Sequence, residues 1–564
     1  MIKRKMLALS LSAVAVLSLA ACSSSQSTSK KTTSAPSGKL SNVSYSSHKA
    51  SYYRGGTSYS GKVRSLKLNT SKYTTKTITV NKKKIKVRCY TNLVYVSKPV
   101  STKYQSMNIY VPEKYFHNKK INGYTKSTAP IFMPNNIGGY MAGTAGTLTA
   151  SAMGGGGGAP SGTKSSSKPT GKAPTTSGKS SSSSTSLNAN GGASSTSATQ
   201  AALAKGYVVA APGARGRDTK QNGKYTGKAP SAIVDLKAAV RYLKFNKSRL
   251  AGNTNKIISD GTSAGGAMSA LLGSTGNSAG YKPYLKAIGA ANTSDNIFAS
   301  FVFAPITNLD NANTAYEWEF SGVNSISGAS MTPGASSSQT TLTSKQKKLS
   351  KQLQSDFVSY VNKSGIKANG QTLKLNSDGT GSFATLIKKQ IMNSAQTALD
   401  KGTTIKASKY PWLTIKSGKV TNVDLTKYFK SVGRSKTPPA FDALDVSQAE
   451  NIEFGDSTTN AKHFTKFSQT HNTKSGATTA DSSIIKLMNP MDYIGQKSTA
   501  TTAKHFWIRY GETDSNTSVA VPTLLAQKLK NAGVDVNYHV QWNTGHAGDY
   551  DMTNMFKWVD SIAK

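Results

Sequence analysis

Apolar and polar positions alternate in short pieces over residues 62–96, as in Lys76-Thr77-Ile78-Thr79-Val80 and Lys84-Ile85-Lys86-Val87-Arg88-Cys89-Tyr90. That period of two predicts strands of an N-terminal antiparallel sheet. Further on the pattern changes. Met107-Asn108-Ile109-Tyr110-Val111-Pro112, Ala129-Pro130-Ile131-Phe132-Met133-Pro134, residues 206–211 and Ser300-Phe301-Val302-Phe303-Ala304 are nearly unbroken apolar runs of strand length. Among them, Ile233, Leu236, Ala239, Val240 and Leu243 recur at helical spacing. Strands apolar on both faces, alternating with helices, predict an α/β fold with a mostly parallel sheet covered on two sides. Over roughly 305–488 the alternation stops, and helices over 345–361 and 383–399 stand among polar loops. An insertion of that size after a sheet strand reads as a lid over an active site. Alternation resumes with a strand at 505–510, a helix over 518–532, a strand at 536–542 and a helix from 553.

This divides the chain into a first core part, 61–305, a lid, 306–489, and a second core part, 490–564. Residues 151–200 contain five consecutive glycines, serine runs, no acid and no aromatic residue. They have too little to bury to fold, so a flexible insertion within the first core part is expected. Residues 1–22 open with Lys3, Arg4 and Lys5, run mostly apolar from Met6 to Leu19, and end in small residues before Cys22. The run is too short to span a bilayer, which predicts an export signal. Leu19-Ala20-Ala21-Cys22 resembles the bacterial lipobox, which implies a lipid on Cys22, attachment to the membrane and a place on the extracellular face of a bacterial cell; the alternative is a plain cleaved signal. Residues 23–60 are then a disordered tether.

Charge changes the list of partners. The formal net charge is +46, with lysines spread over the whole length and Lys82 to Lys84 the tightest run. No nucleic-acid module accompanies them, so the expectation is a solvated basic surface suited to an anionic cell-wall polymer, with no specific nucleic acid. Cysteine usage adds little: with Cys22 lipidated, Cys89 is the only thiol left and no internal disulfide forms.

Candidate chemistry centres on Lys256 to Met268. An apolar strand runs into Gly261-Thr262-Ser263-Ala264-Gly265, and a helix rich in small residues follows. That is the strand-turn-helix setting of a nucleophile elbow, with Ser263 as nucleophile and Gly261 and Gly265 leaving room for the strained turn. Gly276-Asn277-Ser278-Ala279-Gly280 fits the same letters, but no apolar strand precedes it and Tyr281-Lys282-Pro283 stands where a helix should begin, so Ser278 reads as a loop serine. Asn135-Asn136-Ile137-Gly138-Gly139-Tyr140 follows an early strand, where a Gly-rich loop can supply oxyanion-hole N–H groups from Ile137, Gly138 and Gly139 beside that of Ala264. Arg215 and Arg217, in the exit loop of the 206–211 strand, either border the site or pair with Asp218.

A serine nucleophile needs a base and an orienting acid. Of the seven histidines, His48 lies in the tether, His117 in an early loop, His463 and His471 in the lid, and His505 and His539 inside strands. His546 remains, between the last strand and the last helix, where an α/β-hydrolase carries its histidine. Asp514 follows the 505–510 strand and completes the order Ser, Asp, His, with Glu512 as the alternative acid.

With these motifs in view, the chain resembles the bacterial tannases, tannin acyl hydrolases of the α/β-hydrolase fold. The shared segments are 136–140, 212–217, 261–266, Lys436-Thr437-Pro438-Pro439-Ala440-Phe441-Asp442, Ala449-Glu450-Asn451, Asp514 and Gly545-His546-Ala547-Gly548-Asp549-Tyr550. The resemblance covers residues from about 100 to 564 outside the insertion. It implies hydrolysis of galloyl esters through an acyl-enzyme, with no cofactor and no metal, and with Lys436 and Glu450 holding the hydroxyls of the ring. Where the family usually has a second acid two residues after the catalytic Asp, this chain has Asn516. Two other functions stay open: a feruloyl or other carboxylesterase or peptidase on the same fold, and a non-catalytic basic lipoprotein that binds an anionic surface.

Overall fold

A computed structural model describes residues 59–149, 197–326 and 340–564. The leader with Cys22, the tether up to residue 58 with His48, and residues 150–196 lie outside the described residues. No helix of the described residues is long and apolar enough to cross a membrane.

The central element is a nine-stranded sheet. Its strands are β1 (Thr74–Val80), β2 (Lys83–Val94), β3 (Ser106–Pro112), β4 (Ile131–Pro134), β5 (Val208–Pro212), β6 (Ile257–Thr262), β7 (Ala299–Phe303), β8 (His505–Gly511) and β9 (Asp535–Gln541). They lie in the order β1-β2-β3-β5-β4-β6-β7-β8-β9. Pairing is antiparallel from β1 through β5 and parallel from there to β9. The antiparallel strands at the N-terminus therefore extend the main sheet and form no sheet of their own. Arg88↔Val111 and Cys89↔Tyr110 are among the pairs that join them to it.

Burial follows the sequence pattern. All residues of β3, β4, β5, β6 and β7 are buried, as apolar runs sandwiched between helices require, whereas the outer strand β1 buries only Ile78 and Val80. Helix α1 (Ala198–Ala204) begins inside the segment expected to be a flexible insertion, where Ser197 caps it by accepting from the Gln200 N–H at 3.3 Å. The Ser197 hydroxyl also donates to the carbonyl of Leu148 at 3.4 Å, so the two flanks of the insertion stand side by side. Helix α2 (Ser231–Phe245) crosses over to β6, and α3 (Ala264–Ser274) follows it. A short helix, Lys282–Ala287, does form where none was expected after Ser278; its proline lies in the first turn, where a missing N–H costs no helical hydrogen bond.

Between β7 and β8 the chain leaves the sheet. There α4 (Leu309–Phe320), α5 (Ser344–Lys363) and α6 (Ser382–Asp400) gather around Trp318, whose ring lies 5.6 Å from Phe357 and 5.4 Å from Phe383. Two small hairpins, Lys367–Ala368 with Gln371–Thr372 and Leu413–Lys416 with Lys419–Val423, were not anticipated; their strands are too short or too exposed to carry an apolar alternation. The five-residue helix α7 (Ala449–Glu453) follows. The sheet is completed by β8, α8 (Ala520–Asn531), β9 and α9 (Met552–Ala563).

Candidate active site

Ser263 stands between β6 and α3 with φ 63° and ψ −123°, a conformation unfavourable for a residue with a Cβ. The surroundings hold it there. Its N–H donates to the Phe303 carbonyl at 3.0 Å, and its own carbonyl accepts from Ala267 at 3.0 Å and Ile306 at 3.1 Å. A Cβ on Gly261 would stand 2.3 Å from the Gly265 carbonyl oxygen, and one on Gly265 would stand 2.6 Å from Asn135 Oδ1. The two glycines therefore close the turn and seat the loop after β4 directly on it. Ser278, by contrast, has an ordinary extended backbone before a 3-10 turn.

That loop is fixed from two sides. Asn135 Nδ2 donates to the carbonyls of Asp260 at 2.7 Å and Gly265 at 3.1 Å. From the β5 exit loop, Arg217 Nε donates to the Gly139 carbonyl at 2.7 Å and the Ala142 N–H donates to Asp218 at 2.8 Å. Of the three loop N–H groups expected to face an oxyanion, that of Ile137 already donates to Asn135 Oδ1 at 3.3 Å. Those of Gly138, Gly139 and Ala264 meet no acceptor among the described residues. The expected alternative of an arginine paired with Asp218 does not occur: Arg215 is fully buried and grips Asp235 through Nε and Nη2, each at 2.8 Å. A partner twenty positions away leaves no local mark in the sequence.

His546 and Asp514 come from the loops after β9 and β8. His546 Nδ1 lies 2.8 Å from Asp514 Oδ2, and Asp514 Oδ1 accepts the N–H groups of Asn516 at 2.8 Å and Thr517 at 3.4 Å. The two loops are tied by the Thr513 N–H donating to the Thr544 carbonyl at 2.9 Å. The alternative acid, Glu512, accepts instead from the Asn543 N–H at 3.1 Å, and burial pushes its carboxyl up to about 7. The histidine loop rests on the elbow: a Cβ added to Gly548 would fall 1.7 Å from Thr262 Oγ1, the residue before Ser263. Three segments distant in sequence thus meet at the carboxyl ends of the parallel strands, where open α/β sheets bind their ligands.

Lys436 and Glu450 are not surface charges. They are 6% and 3% exposed, and Asn516 is 6% exposed. Burial lowers the Lys436 ammonium from its usual range, against the carboxylates of Glu450 and Asp514, which raise it. Burial raises Glu450, against Lys436, its own N–H and Arg217. Lys436 is held by the Tyr316 hydroxyl, which accepts its backbone N–H at 3.2 Å, and its Nζ lies 4.0 Å from the centre of the Phe441 ring. The lid meets the acid loop where the hydroxyls of Tyr316 and Ser435 both donate to the Ser515 carbonyl, at 2.8 and 2.7 Å. A buried cation and a buried carboxylate beside the Asp514 loop suit a ligand rich in hydroxyls. Among the described residues no three His, Cys, Asp or Glu side chains gather as metal ligands would.

Of the histidines set aside by position, His463, His505, His117 and His471 have other partners. His463 is fully buried between Asp442 at 2.8 Å and Asn472 at 3.1 Å, His505 pairs with Asp535 at 2.8 Å, and His117 lies 3.4 Å from Glu113. His471 Nδ1 is 2.9 Å from the Phe467 carbonyl, and burial pulls His539 down to about 4.

Comparison with known proteins agrees with this geometry. A tannase from Fusobacterium nucleatum of known crystal structure is 44% identical, superposes with a TM-score of 0.77, and is matched over 89% of this chain and 100% of its own. The chain belongs to the bacterial tannase family. A tannase from Lactobacillus plantarum is 37% identical with a TM-score of 0.76, over 89% of this chain and 100% of that one. A tannin acyl hydrolase in complex with ethyl gallate is 38% identical with a TM-score of 0.76, over 88% and 99%. The family model BD-FAE, an α/β-hydrolase domain, matches residues 184–365. No match is found among curated protein sequences. Membership in the tannase family accounts for the α/β-hydrolase sheet.

Proposed function

We propose that the protein is a serine esterase that hydrolyses the galloyl ester bonds of tannins and of simple gallate esters. Asp514 holds the Nδ1–H of His546, which leaves Nε2 to take the proton of Ser263 as its oxygen attacks the ester carbonyl. The N–H groups of Ala264, Gly138 and Gly139 receive the developing oxyanion; Ile137, whose N–H is committed to Asn135, shapes the loop. One such donor is worth on the order of 10²-fold in rate. His546 then gives its proton to the leaving alcohol, and water releases gallate by the same steps in reverse. Lys436 donates to the phenolic oxygens, while Glu450 and the side-chain oxygen of Asn516 accept from the hydroxyls. An amide in place of an acid keeps the acceptor but brings no charge.

The observation that carries this reading is the Asp514–His546 pair, resting through Gly548 on the residue before Ser263, in a chain of the tannase family. Gallate release from methyl gallate by wild type, and its loss in Ser263→Ala, tests the reading. Faster turnover of methyl ferulate or a simple naphthyl ester than of methyl gallate would reassign the substrate.

We further propose that the mature chain is held on the extracellular face of the bacterial cell membrane by a lipid on Cys22, where its formal charge, 46 − 3 = +43 once Lys3, Arg4 and Lys5 are cleaved off, brings it against anionic wall polymer. The leader pattern and the charge support this. Metabolic labelling with a fatty-acid analogue should mark the full chain and not Cys22→Ala; equal labelling would overturn the anchor.

A further inference from the structure

The mechanism above uses no side chain of the lid helix α4, yet one face of that helix decides where Lys436 stands. Asn313, Tyr316, Glu317 and Phe320 recur at the spacing of a single helical stripe, and none is more than 1% exposed. All four bond the segment 434–442. Asn313 Oδ1 accepts the N–H groups of Phe441 at 2.8 Å and Asp442 at 3.2 Å. The Tyr316 hydroxyl accepts those of Ser435 at 3.0 Å and Lys436 at 3.2 Å. Arg434 Nη2 donates to Glu317 Oε2 and to the Phe320 carbonyl, each at 2.7 Å, and Arg434 Nη1 donates onward to the Lys436 carbonyl at 3.2 Å. Both backbone groups of Lys436 are therefore held from α4. Its ammonium lies on the Phe441 ring, which in turn packs edge-on to the ring of Tyr316 at 6.0 Å.

A phenol hydroxyl has one proton to give and two lone pairs to fill. Tyr316 uses all three: beside the two N–H groups it accepts, it donates to the Ser515 carbonyl at 2.8 Å. Burial raises this hydroxyl above its ordinary value, so it keeps the proton it donates. Ser515 stands between Asp514 and Asn516, so one buried oxygen joins the ring-binding lysine to the loop that carries the catalytic acid and the ring-facing amide. The two sides depend on it unequally. The acid loop has further ties, from the Ser435 hydroxyl to the same carbonyl at 2.7 Å and from the Tyr510 hydroxyl to the Asp514 carbonyl at 2.9 Å. The Lys436 N–H has no acceptor but Tyr316 among the described residues. Without the hydroxyl two buried N–H groups lose their partner, and the backbone that carries Lys436 must shift to satisfy them.

We propose that Tyr316 is a specificity-determining positioning residue: its hydroxyl fixes Lys436 relative to the Asp514–Asn516 loop, so that the hydroxyls of one aromatic ring can reach both. This rests on the galloyl-ester reading given above. Tyr316→Phe keeps the ring packing on Phe320 and Phe441 and removes only the oxygen.

The test compares kcat and KM for methyl gallate and methyl benzoate in full-length wild type, Tyr316→Phe, Glu317→Gln and Ser435→Ala, with active enzyme counted by fluorophosphonate labelling of Ser263. In Tyr316→Phe the preference for methyl gallate, as the ratio of the two kcat/KM values, should fall at least about tenfold, chiefly through KM for methyl gallate. Glu317→Gln weakens the grip on Arg434 and should lower the ratio in the same direction by about threefold or more. Ser435→Ala removes a bond to the same Ser515 carbonyl but leaves the Lys436 N–H bonded, so its ratio should stay within about twofold of wild type. The labelling rate of Tyr316→Phe should stay within about threefold of wild type, because the Asp514–His546 pair keeps its own supports. A merely structural role would lower the unfolding temperature and the rate on both esters alike. An unchanged ratio in Tyr316→Phe overturns the proposal, as does loss of labelling together with gallate turnover. If neither Tyr316→Phe nor Glu317→Gln folds, the stripe serves stability and the proposal falls. A wild type that turns over both esters equally strikes the galloyl reading itself, a result distinct from a wild-type preference that survives Tyr316→Phe.

Discussion

Among the described residues two buried aspartate–histidine pairs have the same 2.8 Å separation and opposite consequences. In the lid, Asp442 accepts from five donors: His463, Asn451, the N–H groups of Phe464 and Thr465, and the Thr465 hydroxyl. The second nitrogen of His463 faces Asn472 Oδ1, at 3.1 Å. That amide cannot be turned, because it also exchanges hydrogen bonds with both backbone groups of Lys474. With an acceptor at each nitrogen, the doubly protonated ring is the favoured form. Burial alone would lower it, but Asp442 and Asn472 hold it above the ordinary histidine value. His546 has an acceptor at Nδ1 only, and no protein group among the described residues occupies Nε2. The aspartate is common to both pairs; the group at the other nitrogen favours the cation in one and leaves the other open to serve as a base.

The sharpest way to break this comparison is at the nucleophile and its base. Ser263→Ala or His546→Ala should lower kcat for methyl gallate by roughly 10⁶-fold with the fold retained, as judged by circular dichroism. Asp514→Asn should cost roughly 10⁴-fold, because the imidazole loses its tautomer and orientation. The matching Asp442→Asn should instead cost about 3 kcal/mol or more of stability, read by urea unfolding, with much less change in kcat of the folded fraction. Equal losses of kcat at 514 and 442 would dissolve the distinction. Next in size, Lys436→Gln and Glu450→Gln should each raise KM for methyl gallate by roughly 10- to 100-fold while changing turnover of methyl benzoate far less, because only the hydroxylated ring uses them.

The remaining expected effect is a pH dependence of stability. The folded value of His463 is raised, so its stabilising contribution is whole below about 6.5 and fades as pH rises through the folded value. The stability gap between wild type and His463→Gln should therefore shrink from neutral to alkaline pH in urea titrations. Glu512 acts in the same direction for a different reason: burial alone lifts it to about 7. Stability should fall between about pH 4.5 and 7, by on the order of 3 kcal/mol, and Glu512→Gln should flatten that segment.

Much of this was legible in the sequence because it is local. The elbow declares itself through two glycines that must be small, β6 through an unbroken apolar run, and His546 through its place between the last strand and helix. What escaped depends on partners far apart in the chain. Arg215 is two residues from Arg217 and three from Asp218, yet it bonds Asp235 across a helix start, while Arg217 supports the Gly139 carbonyl. The helix after Ser278 was lost to a rule about proline that does not hold in a first turn. The antiparallel strands gave their type but not their destination, because edge-to-edge pairing of β2 with β3 is written in no single segment. His463 carries no hint that Asp442 and Asn472 enclose it.

The single hydrogen bond between Ser197 and Leu148 has a bearing on how such a protein can change over time. It marks a doorway: the polypeptide departs and re-enters at one point on the surface, so β4 and β5 keep their alignment whatever lies between. Lengthening such an excursion is cheap, about 0.6 kcal/mol for each doubling. A binding module or a short turn could be exchanged at that doorway without disturbing the machinery around Ser263, which makes it a natural port for variation and a convenient one for engineering.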